Sequence, residues 1–409
     1  MNTTKCLLKR ANVSRRYIGL AALLLTGCTD DYGPLQFVQS LSPRTHVPQL
    51  LADGEGQPAL AYVQSDDSNS TLKWARWQNR EWQDHLSIAS DSAMLVNWAD
   101  RPQMAFGLNG EVYAHWITVD PRGDFTYDIA AVRSMDYGHT WSGPTRPHQD
   151  TAIAEHGFAQ WLPHENGAQM VWLDGRDFDG HPDPSQARME LRMNNWTREG
   201  WQEESLLDSS VCTCCPMTAA ATSDSTYELI YRDRLPVEIR DFSRLQINVQ
   251  SGECSASKLL HEDGWKIAAC PVNGASLAQN NDRFLAVWYT AAGNEPTIYH
   301  AWRNPADSEY SDPKPLHVNA PLGRIATAVD GHGEFYAVWL ETNATGGVNW
   351  VGKHWNNQGL PLTKSPEVLV PASERRAGGF PALVGLDSGV LLAWTNPSPE
   401  PHVMTGLWK

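Results

Sequence analysis

Pro102-Gln-Met-Ala-Phe-Gly-Leu-Asn-Gly-Glu-Val-Tyr-Ala-His-Trp116 reads as a short strand, a tight turn at Asn109-Gly110 and a second strand ending in Ala-x-Trp. Asn-Gly between apolar runs is a strong hairpin signal, because both turn positions need a positive φ. The same sentence recurs at Gly323-Arg-Ile-Ala-Thr-Ala-Val-Asp-Gly-His-Gly-Glu-Phe-Tyr-Ala-Val-Trp339 and at Gly379-Phe-Pro-Ala-Leu-Val-Gly-Leu-Asp-Ser-Gly-Val-Leu-Leu-Ala-Trp394. Weaker copies begin near Pro48, Gly157, Pro216 and Gly274. A recurring hairpin is the mark of a repeat architecture and decides the fold class before any other feature.

A third strand follows each hairpin: 72–77, 127–134, 189–196, 238–247, 297–302, 348–355 and 402–408. A fourth, outer strand fits most copies. The repeat of roughly 50–60 residues is that of a four-stranded propeller blade. The expected fold is therefore an all-β propeller of seven blades, with six as the alternative count. The last copy has no room for an outer strand, and Gln36–Leu41 is expected to supply it and close the ring. A many-stranded sandwich would leave the repeated Ala-x-Trp hairpin without a reason. The 18 tryptophans and the evenly spread Gly and Pro suit many short strands joined by turns.

Ser134-Met-Asp136-Tyr-Gly138-His-Thr140-Trp141 matches the Asp-box pattern Ser-x-Asp-x-Gly-x-Thr-Trp. In such a turn the Asp accepts backbone hydrogen bonds, Gly takes a positive φ and Trp packs into the blade. By this box and the repeat, the chain resembles the sialidase-like propellers. The box is a structural device on the face away from the usual active site. Val211-Cys-Thr-Cys-Cys-Pro216, Tyr231-Arg-Asp233 with Glu238-Ile-Arg-Asp241, and Gly264-Trp-Lys-Ile-Ala-Ala-Cys-Pro-Val-Asn-Gly274 further resemble segments of bacterial sialidase-like lipoproteins whose reaction is not established.

The first residues read as a targeting leader. Lys5, Lys9, Arg10, Arg15 and Arg16 form a basic region, and Ile18–Leu25 is an apolar stretch too short to span a bilayer. Leu25-Thr-Gly-Cys28 looks like a lipobox, with Cys28 carrying the lipids. The expected organisation is a leader over 1–27, lipidated Cys28 and tether over 28–35, and the propeller over 36–409. Acyl chains then supply the membrane partner, and Thr29 after Cys28 favours the outer membrane, by resemblance to lipoprotein sorting. The chain carries a formal net charge of −15. Loss of the five leader cations makes the mature chain more acidic still, which disfavours nucleic acid as a partner. A monomer is expected.

Propeller topology sends three kinds of position to one face, called the upper face below: residues before the first strand, after the second, and at the start of the third. These include Asp100 and Arg101, Glu155 and His156, Arg176, Arg232, Glu238, Arg240, Asp241, Tyr289, Arg324 and Arg376. Arginine grips carboxylates through a planar fork, so one reading is a mouth for a glycan or other anionic small ligand, with Arg101, Arg176, Arg324 and Arg376 as binding residues. The other reading pairs these arginines with neighbouring acids to tie loops together. The sialidase resemblance implies a Tyr nucleophile with a carboxylate, an Asp acid/base and three Arg. Tyr231 or Tyr289 with Glu238, Asp66 or Asp100, and Arg232 and Arg240 would fill those roles. The family's Arg-Ile-Pro opening is replaced by Ser42-Pro43-Arg44. A non-enzymatic envelope scaffold or a metal-handling propeller is the alternative function.

Five cysteines remain after the leader and Cys28: Cys212, Cys214, Cys215, Cys254 and Cys270. An odd number cannot all pair within one chain. Cys212, Cys214 and Cys215 precede the fourth blade and Cys270 the fifth, on the same face. A disulfide from Cys270 to one of the three is the plain reading for an exported protein. A soft-metal site for Cu(I) or Zn(II), with His156 or Met217 nearby, is the sharper one, and a reactive cysteine the third. No other cofactor is implied. For the anchor, Cys28→Ala is expected to move the protein from the membrane fraction to the soluble fraction. Undiminished palmitate labelling of that variant would refute lipidation at Cys28.

Overall fold

The computed structural model describes residues 33–183 and 185–409; the leader, Cys28 and the tether up to residue 32 lie outside the described residues. The body is a seven-bladed β-propeller of antiparallel blades. The inner strands are Thr45–Ala52, Gln103–Phe106, His156–His164, Thr218–Ser223, Ser276–Gln279, Pro321–Val329 and Ala382–Gly385. Each touches the inner strand of the next blade, and the last touches the first. Among the described residues no helix is long and apolar enough to cross a membrane.

The second strands explain why the repeat is so legible. Val112–Val119, Gly167–Asp174, Phe284–Thr290, Phe335–Thr342 and Val390–Asn396 are sandwiched between blades and buried on both faces. They therefore read as continuous apolar runs rather than alternating ones. The recurrent tryptophan at their upper ends has one indole N–H to satisfy once buried. Trp116 donates to Asp91 at 2.8 Å, Trp172 to Asp174 at 2.7 Å, Trp288 to Asp263 at 2.8 Å and Trp339 to Glu341 at 2.7 Å. Several upper-face acids are thus committed to the scaffold.

Ring closure follows the expected route, with bounds of Leu35–Ser40 for the closing strand. It pairs antiparallel with the final strand His402–Trp408, Leu35 opposite Trp408. Leu35 is 1% exposed and lies over Gly406, whose missing Cβ leaves its space. The Asp-box turn closes as its residue types demand. Asp136 accepts from the Thr140 amide at 2.8 Å and hydroxyl at 2.7 Å, and Ser134 donates to it at 2.8 Å. Gly138 adopts φ 81°, and Trp141 Nε1 donates to its carbonyl at 3.2 Å. A Cβ at Gly138 would meet Trp74 of the first blade, so the turn also fixes a blade contact.

One expectation needs correction. The third strand of blade four spans Phe242–Asn248, and a 3-10 turn at Pro236–Glu238 precedes it. Glu238 and Arg240 therefore stand in a loop, with Val237 and Glu238 both in the left-handed region. Blade two has three strands, and its outer position is held by residues 142–145, with the Ser142 amide donating to the Arg133 carbonyl at 2.8 Å and Thr145 bridging Ala131. Leu35→Ala is expected to destabilise the propeller by about 2–5 kcal/mol in denaturant titration, the usual loss for a buried Leu. A chain lacking residues 33–40 should fall further, with an open strand edge that promotes association.

Candidate functional site

The arginines expected to line an open mouth are mostly turned inward. Arg232 is 2% exposed. Its guanidinium donates to the Arg240 carbonyl at 2.6 Å, the Asn273 carbonyl at 2.9 Å and the Tyr289 carbonyl at 2.9 Å. The Phe242 ring lies 3.9 Å and the Trp265 ring 4.9 Å from its Cζ. Arg324 is caged in the same way by the carbonyls of Ser373, Glu374, Arg375 and Gly379 and lies over Trp98. Arg101 donates to the Pro48 carbonyl and lies over Phe380. Burial lowers both Arg101 and Arg324 to about 10. Arg176 is clamped by Asp174, Glu204 and Asp150. Arg376 is exposed on a short 3-10 turn. These side chains tie loops; they do not converge into a clamp.

The Tyr–Glu pair cast from the sequence does not form either. Tyr231 donates to Asp208 at 2.7 Å, Tyr289 packs edge-on against Trp265, and Glu238 sits between Arg234 and Arg240. Asp241 accepts from the Gly264 amide at 2.7 Å and the Trp265 amide at 2.9 Å, so it holds the loop that carries Cys270.

A different tyrosine takes the place. Tyr127, the first residue of the third strand of blade two, donates a hydrogen bond to Glu155, just before the inner strand of blade three. Both are half-buried. Burial pushes Glu155 up to about 7. Asp100 is near enough for its charge to act on Tyr127, and burial, with Glu155 adding, raises it to about 8. Its Oδ1 accepts from the Phe158 amide at 2.8 Å, and its buried Oδ2 has no partner among the described residues. Asp66, the other acid considered, is exposed and caps its own turn. Tyr127 and Glu155 both occupied positions that topology sends upward. The missed signal was the pairing of a third-strand start with the leading residue of the next blade.

Beside this trio lies the cysteine cluster. Cys212, Cys214 and Cys215 are buried, and all five cysteines after Cys28 are free thiols. The expected staple from Cys270 is not formed; its thiol lies 3.2 Å from the Thr213 hydroxyl. The two blade-leading segments interlock instead. A Cβ on Gly274 would fall 2.3 Å from the Pro216 carbonyl, so only glycine permits this approach. Hydrogen bonds from Cys214 and Cys215, with the charges of Arg232 and Arg240, hold Cys212 well below an ordinary thiol. Burial pushes Cys215 up to about 12, while hydrogen bonds from Cys214 and Thr213 bring Cys270 to about 6.

His156 belongs to another group. It stacks on His148, with ring centres 3.9 Å apart and planes 2° from parallel. Asp128 and Asp150 each flank both rings at 3.0–3.5 Å. The histidines and carboxylates form a buried charge network, and Asp128, His148 and His156 present ligand atoms within 4.8 Å of one another. The two carboxylates outweigh burial and raise His148 to about 8. A cavity of about 800 Å³ opens on the lower face. Its central acid, Asp330, is occupied by the amides of His332, Glu334 and Gly389.

No protein-family model matches the sequence, and no curated protein does. Solved structures share the fold. A polysaccharide lyase superposes with a TM-score of 0.54 at 7% identity, over 91% of this chain and 92% of its own. A puromycin-hydrolysing peptidase of Mycobacterium tuberculosis gives 0.50 at 10% identity, over 91% of this chain but only 54% of the peptidase. A sialidase of Trypanosoma rangeli gives 0.45 at 9% identity, over 90% of this chain and 60% of its own. These likenesses concern the propeller fold.

Removing Arg232 would strand three carbonyls beneath two aromatic rings. Arg232→Ala is expected to cost about 3–5 kcal/mol by denaturant titration, as several buried acceptors lose their donor at about 1–3 kcal/mol each. A loss below about 1 kcal/mol would show that the cage is not a structural pin.

Proposed function

We propose that the upper face binds and cleaves a glycan, with Tyr127, Glu155 and Asp100 as its working groups. The observation that carries this reading is the Tyr127–Glu155 hydrogen bond with Asp100 beside it. A carboxylate bonded to a phenol can take its proton as the oxygen attacks, which converts a weak nucleophile into a competent one. Tyrosine serves in this way in one class of glycosidases. In the proposed sequence Tyr127 Oη attacks the anomeric carbon and Glu155 accepts the phenolic proton. Asp100 gives a proton to the departing glycosidic oxygen. Water then displaces Tyr127 from the sugar, passing one proton to Asp100, while Glu155 returns its own to the phenol. A low-dielectric setting keeps Asp100 protonated near neutral pH, as a general acid requires.

The substrate class is a glycan without a required carboxylate. A sialoside would call for an arginine clamp, and Arg232, Arg324 and Arg176 are already held by protein oxygens. The fold shared with a polysaccharide lyase is compatible with this reading and adds nothing about the reaction.

Turnover on a panel of fluorogenic glycosides and polysaccharides tests it. Tyr127→Phe should lower kcat/KM at least ~10³-fold with folding intact, since the nucleophile is lost outright. The rate should climb as Glu155 ionises through about pH 7 and fall as Asp100 deprotonates above about pH 8, giving a narrow bell. Glycan binding without turnover would remove the catalytic half of the proposal; no binding on a glycan array would overturn it whole.

A further inference from the structure

We propose that Cys212, Cys214 and Cys215 form a soft-metal site that takes one Cu(I) ion through its three sulfurs. The argument is independent of the glycan reading and starts from distances. The three Sγ atoms all lie within 4.8 Å of one another, and Cys212 and Cys215 are 3.9 Å apart. A metal–sulfur bond of about 2.3 Å requires sulfurs about 3.8–4.0 Å apart in tetrahedral or trigonal geometry. The pair is therefore already at metal-bridging distance and far beyond the roughly 2.05 Å of a disulfide.

The loop is also held in place without an ion. The Cys212 amide donates to the Arg232 carbonyl at 3.0 Å, and Pro216, one residue beyond Cys215, is locked against Gly274. The donor set is all sulfur, with His156 engaged elsewhere, and soft thiolates select Cu(I) over harder ions. The setting is dry: the cysteines share an apolar cluster with Phe158, Met217 and Phe380.

Charge is the second, separate observation. Arg232 is buried against carbonyls and rings, and among the described residues it has no carboxylate partner. Arg240 gives one nitrogen to Glu238, while its buried Nε and Nη1 have no hydrogen-bond partner among the described residues. Buried charges need a counter-ion. Cu(I) with three thiolates carries two negative charges, which these two guanidinium groups would balance. Binding exchanges the thiol protons for the metal, with no change of oxidation state and no other reactant. Cys270, exposed beside Thr213, gives an arriving ion its first sulfur at the rim.

The test is anaerobic titration of the reduced full chain with Cu(I) against a competing chelator, followed by X-ray absorption. One Cu(I) per chain, bound by three sulfurs at about 2.2–2.3 Å, is expected. Cys212→Ser and Cys215→Ser should each weaken binding at least 100-fold, and Cys254→Ser should leave it unchanged. The stoichiometry and the sulfur shell are read on the unaltered protein, so a variant that fails to fold does not blunt the test. Absence of Cu(I) binding by the reduced protein, a shell of nitrogen or oxygen, or a Cys212–Cys215 disulfide in protein isolated with thiols trapped would each overturn the proposal.

Discussion

The upper face is organised around one buried cation. Arg232 ends the second strand of blade four and reaches the carbonyls of Arg240, Asn273 and Tyr289. Those three belong to the loop before the third strand of blade four, the segment leading into blade five, and the second strand of blade five. A guanidinium suits this task because its donors lie in a rigid plane and its faces accept aromatic rings. Asp241 and Gly274 then complete the lock, one holding the Gly264–Trp265 amides and the other admitting the Pro216 carbonyl. Every cysteine of the cluster hangs from segments that this pin fixes.

That constraint reverses the reading of arginine on this surface. From sequence, a basic residue among loop acids invites an anion. In the folded chain the backbone at the blade junctions presents carbonyls that no strand partner can satisfy, and burying them without donors is costly. Arg232 and Arg324 answer that need at two junctions, each beneath an aromatic ring. Their side-chain nitrogens are spent before any ligand arrives. The charge of Arg232 is not spent, and it reaches the thiol cluster, where it favours the thiolate of Cys212.

Legibility from sequence followed periodicity. The seven hairpins, the closing strand and the Asp-box turn were readable because each rests on a local rule: strand alternation, a positive φ, a capping acid. Convergence on the upper face was readable as well, since topology dictates it. The chemistry was not. Pairing Tyr127 with Glu155 requires knowing how far blade three's leading segment leans over blade two, and the turn at Pro236–Glu238 shifted Glu238 out of the strand assigned to it. Those are distances between loops, set by packing that no sequence spacing encodes. Asp174 and Glu341 are committed in a simpler way: each answers a buried tryptophan N–H at the end of its own strand.

The two candidate chemistries are neighbours and share an electrostatic balance. Negative charge on Cys270 disfavours ionisation of both Glu155 and Tyr127. The acid trio and the thiol cluster therefore cannot both collect negative charge freely in the same low-dielectric mouth. Arg232 and Arg240 stand on the thiol side, where they favour a thiolate at Cys212, while burial holds Asp100 and Glu155 above the usual carboxylate range. Exchange of thiol protons for one Cu(I) would leave the cluster with two negative charges, which would raise the negative charge felt at Glu155 and oppose its ionisation. Under this arrangement the metal would tune the carboxylate through space without touching the glycan, because the coupling needs only the shared dry mouth and the fixed positions that Arg232 imposes.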